Sequence, residues 1–352
     1  MKFCNAEVEK RVEDALSSCL SKVPFLMIEE IKNEPDRGNI QPDLLVRLAL
    51  PDGEQILVVE VKSSGQPRLA REGINQLLRY RDILPGAYGV FMAPYISPKA
   101  AEICIKEKVG YVDLVGNCRL CFGQVYIEQE GKPNLFAKKR DLRSLYSPKA
   151  ERVLRVLLNN PRITWKIKEV ADEAQVSLGQ VSNVKKLLMD REWIQIGKSG
   201  FALSEPKQLL KEWAGNYTFR RNRVRDFYSL KSVAEVEADL AKICNQKGIM
   251  YALTSFSAAA RLAAAVRHER AFAYVERIEE NIPLLLNLKE VPGGANISLL
   301  SPYDEGVFYG SRTFDGDRIV SPVQVYLDLL GFRGRGEEAA NALLEQMIGA
   351  QW

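Results

Sequence analysis

An α/β multidomain chain is the fold class this sequence predicts, on three observations. Apolar runs bounded by turn residues alternate with helical-period segments up to residue 131, and the same alternation resumes at residue 226. Between them lies a helix-rich middle that is strongly basic: Lys132 to Arg225 holds 21 Lys/Arg against nine Asp/Glu, a net of +12 in a chain whose total is +4. A length of 352 residues, 46% of them hydrophobic, suits two or three ordinary globular cores. The portions flanking the basic middle together carry −8, so the middle is the expected seat of polyanion binding.

Composition also removes chemistries. With one histidine, His268, the Ser-His-Asp, Cys-His and histidine-ligated metal mechanisms lose their imidazole. His268 falls near a helix end and reads as solvated. Of the six cysteines only Cys118 and Cys121 have C-x-x-C spacing, and their strand places them on opposite faces, so all six are expected reduced and free of metal. No run of eighteen apolar residues occurs and MKFCNAEVEKR lacks a signal-peptide core; a soluble, cytoplasmic protein with no membrane partner is expected.

The elements follow in order. Asn5 to Leu20 has the helical spacing Val8, Val12, Leu16, Leu20, with Glu9 and Glu13 flanking the stripe. Pro24 to Ile31 reads as a strand and residues 36–39 as a turn. Gln41 to Lys62 (QPDLLVRLALPDGEQILVVEVK) reads as two strands about Pro51-Asp52-Gly53. Residues two apart share a strand face, so Glu60 and Lys62 project together, and a hairpin brings Asp43 beside them. Two carboxylates converging on one point suit a hard divalent cation, and a lysine beside them can orient water or stabilise developing phosphorane charge. The rest of the strand is apolar, and charges at its end need a partner or a purpose. A helix from Pro67 to Leu84 sets Gln76 and Tyr80 one turn apart on one face. Ala87 to Ala93 is a buried strand, Ser97 opens a helix to Lys108, and residues 110–117 and 118–122 continue in strand. Asp113, a further charge among apolar neighbours, reads as a turn-proximal, solvated residue.

Pro42-Asp43, then Glu60-x-Lys62, then Gln76-x-x-x-Tyr80 resembles the PD-(D/E)xK nuclease superfamily, in its RecB-like branch, and residues 5–130 follow that superfamily's αβββαβ core order. The resemblance implies a restriction-endonuclease-like domain that hydrolyses phosphodiester bonds with Mg²⁺ or Mn²⁺. It assigns the metal to Asp43, Glu60 and the Val61 carbonyl, water positioning to Lys62, and orientation of Lys62 or contact with the substrate backbone to Gln76 and Tyr80. It further implies a glutamate on the first helix, Glu9 or else Glu13.

Residues 132–146 read as a basic linker, with Lys138-Lys139-Arg140 near phosphates. Ser147-Pro148 starts a helix, Lys166 to Ala174 makes a second, and Ser177-Leu-Gly-Gln180 caps a third. In that third helix Val181, Val184 and Leu188 face inward, leaving Gln180, Ser182, Asn183, Lys185 and Lys186 outward. Residues 193–203 then form a hairpin about Gly197-Lys198-Ser-Gly200. This resembles a winged helix-turn-helix over 147–204 with a further helix to residue 217, and it implies double-stranded DNA as partner. Ser177, Gln180, Ser182 and Asn183 would face base edges, while Lys185, Lys186 and Lys198 would meet phosphates. Phe219 to Arg225 reads as a basic connector.

From residue 226, strands at 226–230, 249–254, 271–275, 297–300 and 306–309 alternate with helices at 232–246, 257–265, from Ser321-Pro322 and from Arg335. ValProGlyGlyAla (291–295) lacks the lysine and the following helix of a phosphate loop. YALTSFSAAAR (251–261) and SPVQVYLDLLGFRGRGEEAA (321–340) resemble the C-terminal domain of AbiEi-type antitoxins, the transcriptional regulators of type IV toxin–antitoxin systems. The resemblance extends to the winged helix and implies operator binding, a role in phage defence and a cognate toxin as partner; the nuclease-like domain in front departs from that pattern. The expected division is 1–131 nuclease-like, 132–146 linker, 147–218 winged helix-turn-helix and 219–352 C-terminal α/β domain, in a possible homodimer. A DNA-directed nuclease and a non-catalytic regulator that keeps the nuclease fold as scaffold both remain open.

Overall fold

The computed structural model describes residues 6–33, 41–135, 145–262, 268–278, 281–314 and 316–352. The turn expected at 36–39, the run Lys138–Arg140 and the end of the helix expected at 257–265 lie outside them. Two compact units divide the chain: Met1–Leu142 with Met189–Glu192, and Arg143–Leu188 with Trp193–Trp352.

The first unit is a seven-stranded sheet with helices on both faces. Its elements run α1 (Ala6–Leu20), β1 (Met27–Asn33), β2 (Leu44–Leu50), β3 (Gly53–Val61), α2 (Pro67–Ile83), β4 (Tyr88–Ala93), α3 (Pro98–Lys106), β5 (Gly110–Asp113), β6 (Cys118–Phe122) and β7 (Val125–Gln129), with the strands side by side in chain order. The order α, three strands, α, strand is the expected one. β1 to β3 are antiparallel, β3 to β5 parallel, and β5 to β7 antiparallel. Pro51 presets the turn between β2 and β3, and Gly53 takes the φ of +136° that a side chain would resist. Alternation then sorts the strands' residues. Leu44, Val46, Leu48, Leu57 and Val59 meet Val12, Leu16 and Leu20 of α1 on one face. Val58 and Phe91 meet Ala70, Ile74 and Leu77 of α2 on the other. Each such fully buried aliphatic contributes about 2 kcal/mol. Gly73 lets α2 press onto the sheet, since a Cβ there would come 2.9 Å from the Phe91 ring.

Three expectations in this unit are corrected. The strand foreseen over 110–117 stops at Asp113, where the chain turns. β7 was not foreseen. Asp113 is fully buried, not solvated: its carboxylate accepts from the backbone N–H groups of Ile96, Val115, Gly116 and Asn117 and from the Asn117 amide, so it ties the turn to the β4–α3 loop. Cys118 is buried and Cys121 exposed, on opposite faces as alternation requires.

The second unit opens with helices Pro148–Asn159, Ile167–Ala174 and Leu178–Asp190, the hairpin of β8 (Ile194–Gly197) and β9 (Gly200–Leu203), and helix Pro206–Asn216. Val181, Val184 and Leu188 are fully buried, as helical spacing predicts. A mixed seven-stranded sheet follows: β10 (Arg223–Tyr228), β11 (Tyr251–Leu253), β12 (Ala271–Val275), β13 (Lys289–Glu290), β14 (Ile297–Ser301), β15 (Arg312–Phe314) and β16 (Asp317–Ile319), ordered β13-β10-β14-β12-β11-β16-β15. Helices Val233–Lys247, Ser255–Leu262, Pro322–Leu329 and Arg335–Leu343 accompany it.

Here too expectations are corrected. Residues 305–308 form a 3₁₀ turn rather than a strand, because Asp304 caps it at the Gly306 N–H, 2.8 Å away. The basic connector 219–225 is a 3₁₀ turn leading into β10, and Arg221 and Arg225 are ion-paired to Glu151 (2.8 Å) and Glu290 (2.7 Å). His268 is not solvated: its side chain is 16% exposed and its Nε2 lies 3.2 Å from the buried carboxylate of Glu237.

Candidate active site

The end of β3 carries the site. Leu44 pairs with Val59, so one residue earlier on β2 and one later on β3 set Asp43 against Glu60. Both project to the face on which α2 packs, away from Val59 and Leu44. Glu60 is 4% exposed. Lys62 reaches back to it with Nζ 2.6 Å from Oε1, and the same ammonium donates to Gln76 Oε1 of α2 at 2.5 Å. Gln76 thus sits against the lysine ammonium. Tyr80, one helical turn on, contacts the glutamate rather than the lysine: its hydroxyl lies 3.5 Å from Glu60 Oε2 and 3.2 Å from the Gln41 carbonyl. Asp43 Oδ2 accepts the Val61 N–H at 2.6 Å, which fixes the aspartate against the Glu60-Val61-Lys62 backbone.

Electrostatics follow from this crowding. Burial pushes the Glu60 carboxyl up, the Lys62 hydrogen bond opposes it, and the Asp43 charge adds to the rise, leaving it at about 7. Burial and the same two carboxylates push the Tyr80 phenol up to about 12, so it stays a donor. Two mutually repelling carboxylates, one of them desolvated, are hard oxygen donors whose repulsion a divalent cation would relieve, so the chemistry of Asp43 and Glu60 suits such an ion. Among the described residues no cluster of three or more His, Cys, Asp or Glu side chains joins them. Glu9 rides on α1, but its side chain lies outside the described part. Glu13 accepts from the Asn33 amide at 2.8 Å.

In the second unit the expected DNA-facing residues lie on the third helix and the hairpin turn. Ser177, Ser182, Asn183, Lys186 and Lys198 are exposed, and Gln180 and Lys185 half-buried. Ser177 Oγ caps the helix by accepting the Gln180 N–H at 3.2 Å. Lys185 is less free than its spacing suggested, since its ammonium sits 5.3 Å over the Phe201 ring. A shallow open cleft of about 570 Å³ lies beside the cap, lined by Ser177 and Gln180 and also by Lys149, Asp172 and Gln175, which motif reading had passed over.

Sequence reading also missed a buried polar network. Arg155, with no exposed surface, donates to Gln324 Oε1 through Nε (3.1 Å) and Nη2 (2.7 Å). Gln324 in turn donates to Asp328 at 3.0 Å, and Asp328 also accepts from Tyr217, Tyr274 and Thr254. The available signal was the one that singled out Glu60: a charge inside an apolar run, here ERVLRVLLNN.

Sheet, helices and the Asp43–Glu60–Lys62 cluster define a multidomain α/β protein with a buried carboxylate–lysine centre. Residues 202–349, less than half of the chain, match the family model described as transcriptional regulator, AbiEi antitoxin, Type IV TA system; the match starts at the end of the hairpin and leaves out the three preceding helices. No curated protein matches this chain. Among solved structures, a repair endonuclease from Pyrococcus abyssi aligns at 19% identity over 32% of this chain and 48% of its own, with a TM-score of 0.24. EndoMS in complex with dsDNA aligns at 21% identity over 29% and 43%, with a TM-score of 0.21. EndoMS in apo form aligns at 16% over 32% and 47%, with a TM-score of 0.23. The matched stretch spans less than half the length of each of these proteins, and at such TM-scores the likeness bears on neither fold nor activity. No helix among the described residues is long and apolar enough to cross a membrane.

Proposed function

We propose that this chain is a DNA-acting hydrolase whose carboxylate–lysine centre cleaves phosphodiester bonds and whose winged helix-turn-helix holds double-stranded DNA, within a toxin–antitoxin-like or phage-defence system. The observation that carries it is the placement of the Lys62 ammonium between Glu60 and Gln76, beside Asp43, at the end of an otherwise apolar strand. Asp43, Glu60 and the Val61 carbonyl hold a divalent cation, which supplies charge neutralisation and an acidified water when bound. Lys62 orients the water and faces the charge that develops on phosphorus. Gln76 fixes Lys62, Tyr80 fixes Glu60, and Glu9 is the further carboxylate on α1. Ser177, Gln180, Ser182 and Asn183 address base edges, and Lys185, Lys186 and Lys198 the phosphates.

The test is incubation of plasmid and linear DNA with the full chain and Mg²⁺ or Mn²⁺. Wild type should cut, and Asp43→Ala and Lys62→Ala should each lose activity by at least about a hundredfold, the scale of one lost charge-stabilising group. Equal traces from all three proteins would eliminate the hydrolase. The family match over 202–349 favours a second reading, a non-catalytic operator-binding regulator with a cognate toxin partner and the first unit as scaffold. That reading predicts sequence-specific DNA binding with no cleavage.

A further inference from the structure

The face of the first sheet that carries the site extends outward from it in register. Asp43 stands against Glu60, Leu45 pairs with Val58, and Arg47 with Ile56. Val46 and Leu48, on either side of Arg47, pack toward α1, so Arg47 lies on the same face and the same strand as Asp43, two pleats away. It is half-buried, and its Nε is shielded from solvent with no hydrogen-bond partner among the described residues. Glu30, directly across on β1, is held by Lys32 at 2.9 Å, and that lysine shares the face. A shielded guanidinium N–H left unmatched costs stability, and the fork geometry of arginine suits two oxygens of one tetrahedral anion.

We propose that Arg47 takes a backbone phosphate of a DNA strand lying along β2 toward the Asp43–Glu60 centre. The proposal rests on the phosphodiester reading of that centre. Four strand residues span about 13 Å, so the phosphate held is not the one attacked but lies further along the same strand. Arg47 is accordingly a positioning residue, and its loss weakens substrate capture without touching the chemistry.

Arg47→Met keeps the aliphatic stem and removes the fork; Arg47→Lys keeps the charge. Both are compared with the parent in a Lys185→Ala/Lys186→Ala background, so that winged-helix binding does not mask the effect. Binding of a labelled linear duplex is followed in Ca²⁺ over a salt series, and cleavage in Mg²⁺ or Mn²⁺. In Arg47→Met the slope of log affinity against log salt should fall by about one. KM should rise several-fold at unchanged kcat, and Arg47→Lys should restore the slope. A parent that cuts DNA, with Arg47→Met identical to it in slope and KM, would overturn the role of Arg47 and leave the hydrolase standing. If the wild-type chain, with Lys185 and Lys186 intact, does not cut, the hydrolase reading fails and the slope alone decides: a fall by one sustains the phosphate contact, and an unchanged slope removes it.

Discussion

Glu60 shows how much one buried carboxyl can report. Burial and the Asp43 charge outweigh the help of Lys62, so its pKa in the folded protein is about 7 against an ordinary 4.5. Between those values the folded chain keeps a proton that the unfolded chain has released. Stability therefore falls as pH rises through this window, by an amount on the order of 3 kcal/mol in all. Far-UV circular dichroism of urea unfolding from pH 4.5 to 8 should show that decline, and Glu60→Gln should flatten it. Mg²⁺ or Mn²⁺ should restore the wild type at pH 8 and leave the variant unmoved. Parallel pH profiles for the two proteins would refute the assignment. At this scale the sequence was most readable where it broke its own pattern: Asp43, Glu60 and Lys62 stood out because their neighbours are apolar. Asp113 and His268 were misjudged for the converse reason. Their partners, the Asn117 turn and Glu237, come together only in the fold.

Among elements, the central strands and long helices were legible, because β2 to β5, α1 and α2 each bury a continuous stripe that fixes their period. Four short strands at or next to a sheet edge were not: β7, β13, β15 and β16 are two to five residues long, and their order comes from the neighbour they pair with. Residues 306–309 (GVFY) have strand-forming side chains, yet they follow Asp304, whose cap and bidentate pairing with Arg152 impose a 3₁₀ turn. The helix Leu178–Asp190 gives a prediction of its own. Lys186 is exposed, whereas Lys185 lies over Phe201. If this helix meets DNA, Lys186→Ala should lower the salt slope of binding by about one, and Lys185→Ala should cost less. Equal and unchanged slopes in a filter-binding series would exclude this face.

At the scale of the whole molecule, the charge asymmetry that marked the middle of the chain is partly internal. In helix Pro148–Asn159, nine consecutive residues from Ala150 to Leu158 are buried, among them Glu151, Arg152 and Arg155. Glu151, without exposed surface, accepts from Arg221 (2.8 Å) and Tyr303, and Asp304 and Glu290 from beyond the basic middle pair with Arg152 and Arg225, neutralising part of what counted as its surplus. Removing it strands two buried or half-buried arginines, and Glu151→Ala should destabilise the second unit by about 3–5 kcal/mol. All four tryptophans (Trp165, Trp193, Trp213, Trp352) belong to that unit, so tryptophan emission in urea isolates its transition. An unchanged midpoint would show that the pairing contributes nothing.

The wrapping of that helix also bears on portability. A winged helix is ordinarily a cassette that can be cut out and fused to another protein. Here its first helix serves two cores at once, through Val153, Leu154 and Leu157 on the apolar side and through Arg152, Arg155 and Glu151 toward Asp304, Gln324 and Tyr303. Excision would bare three charges that the rest of the unit now satisfies. If this helix-and-hairpin element meets DNA, it does so with the C-terminal sheet attached.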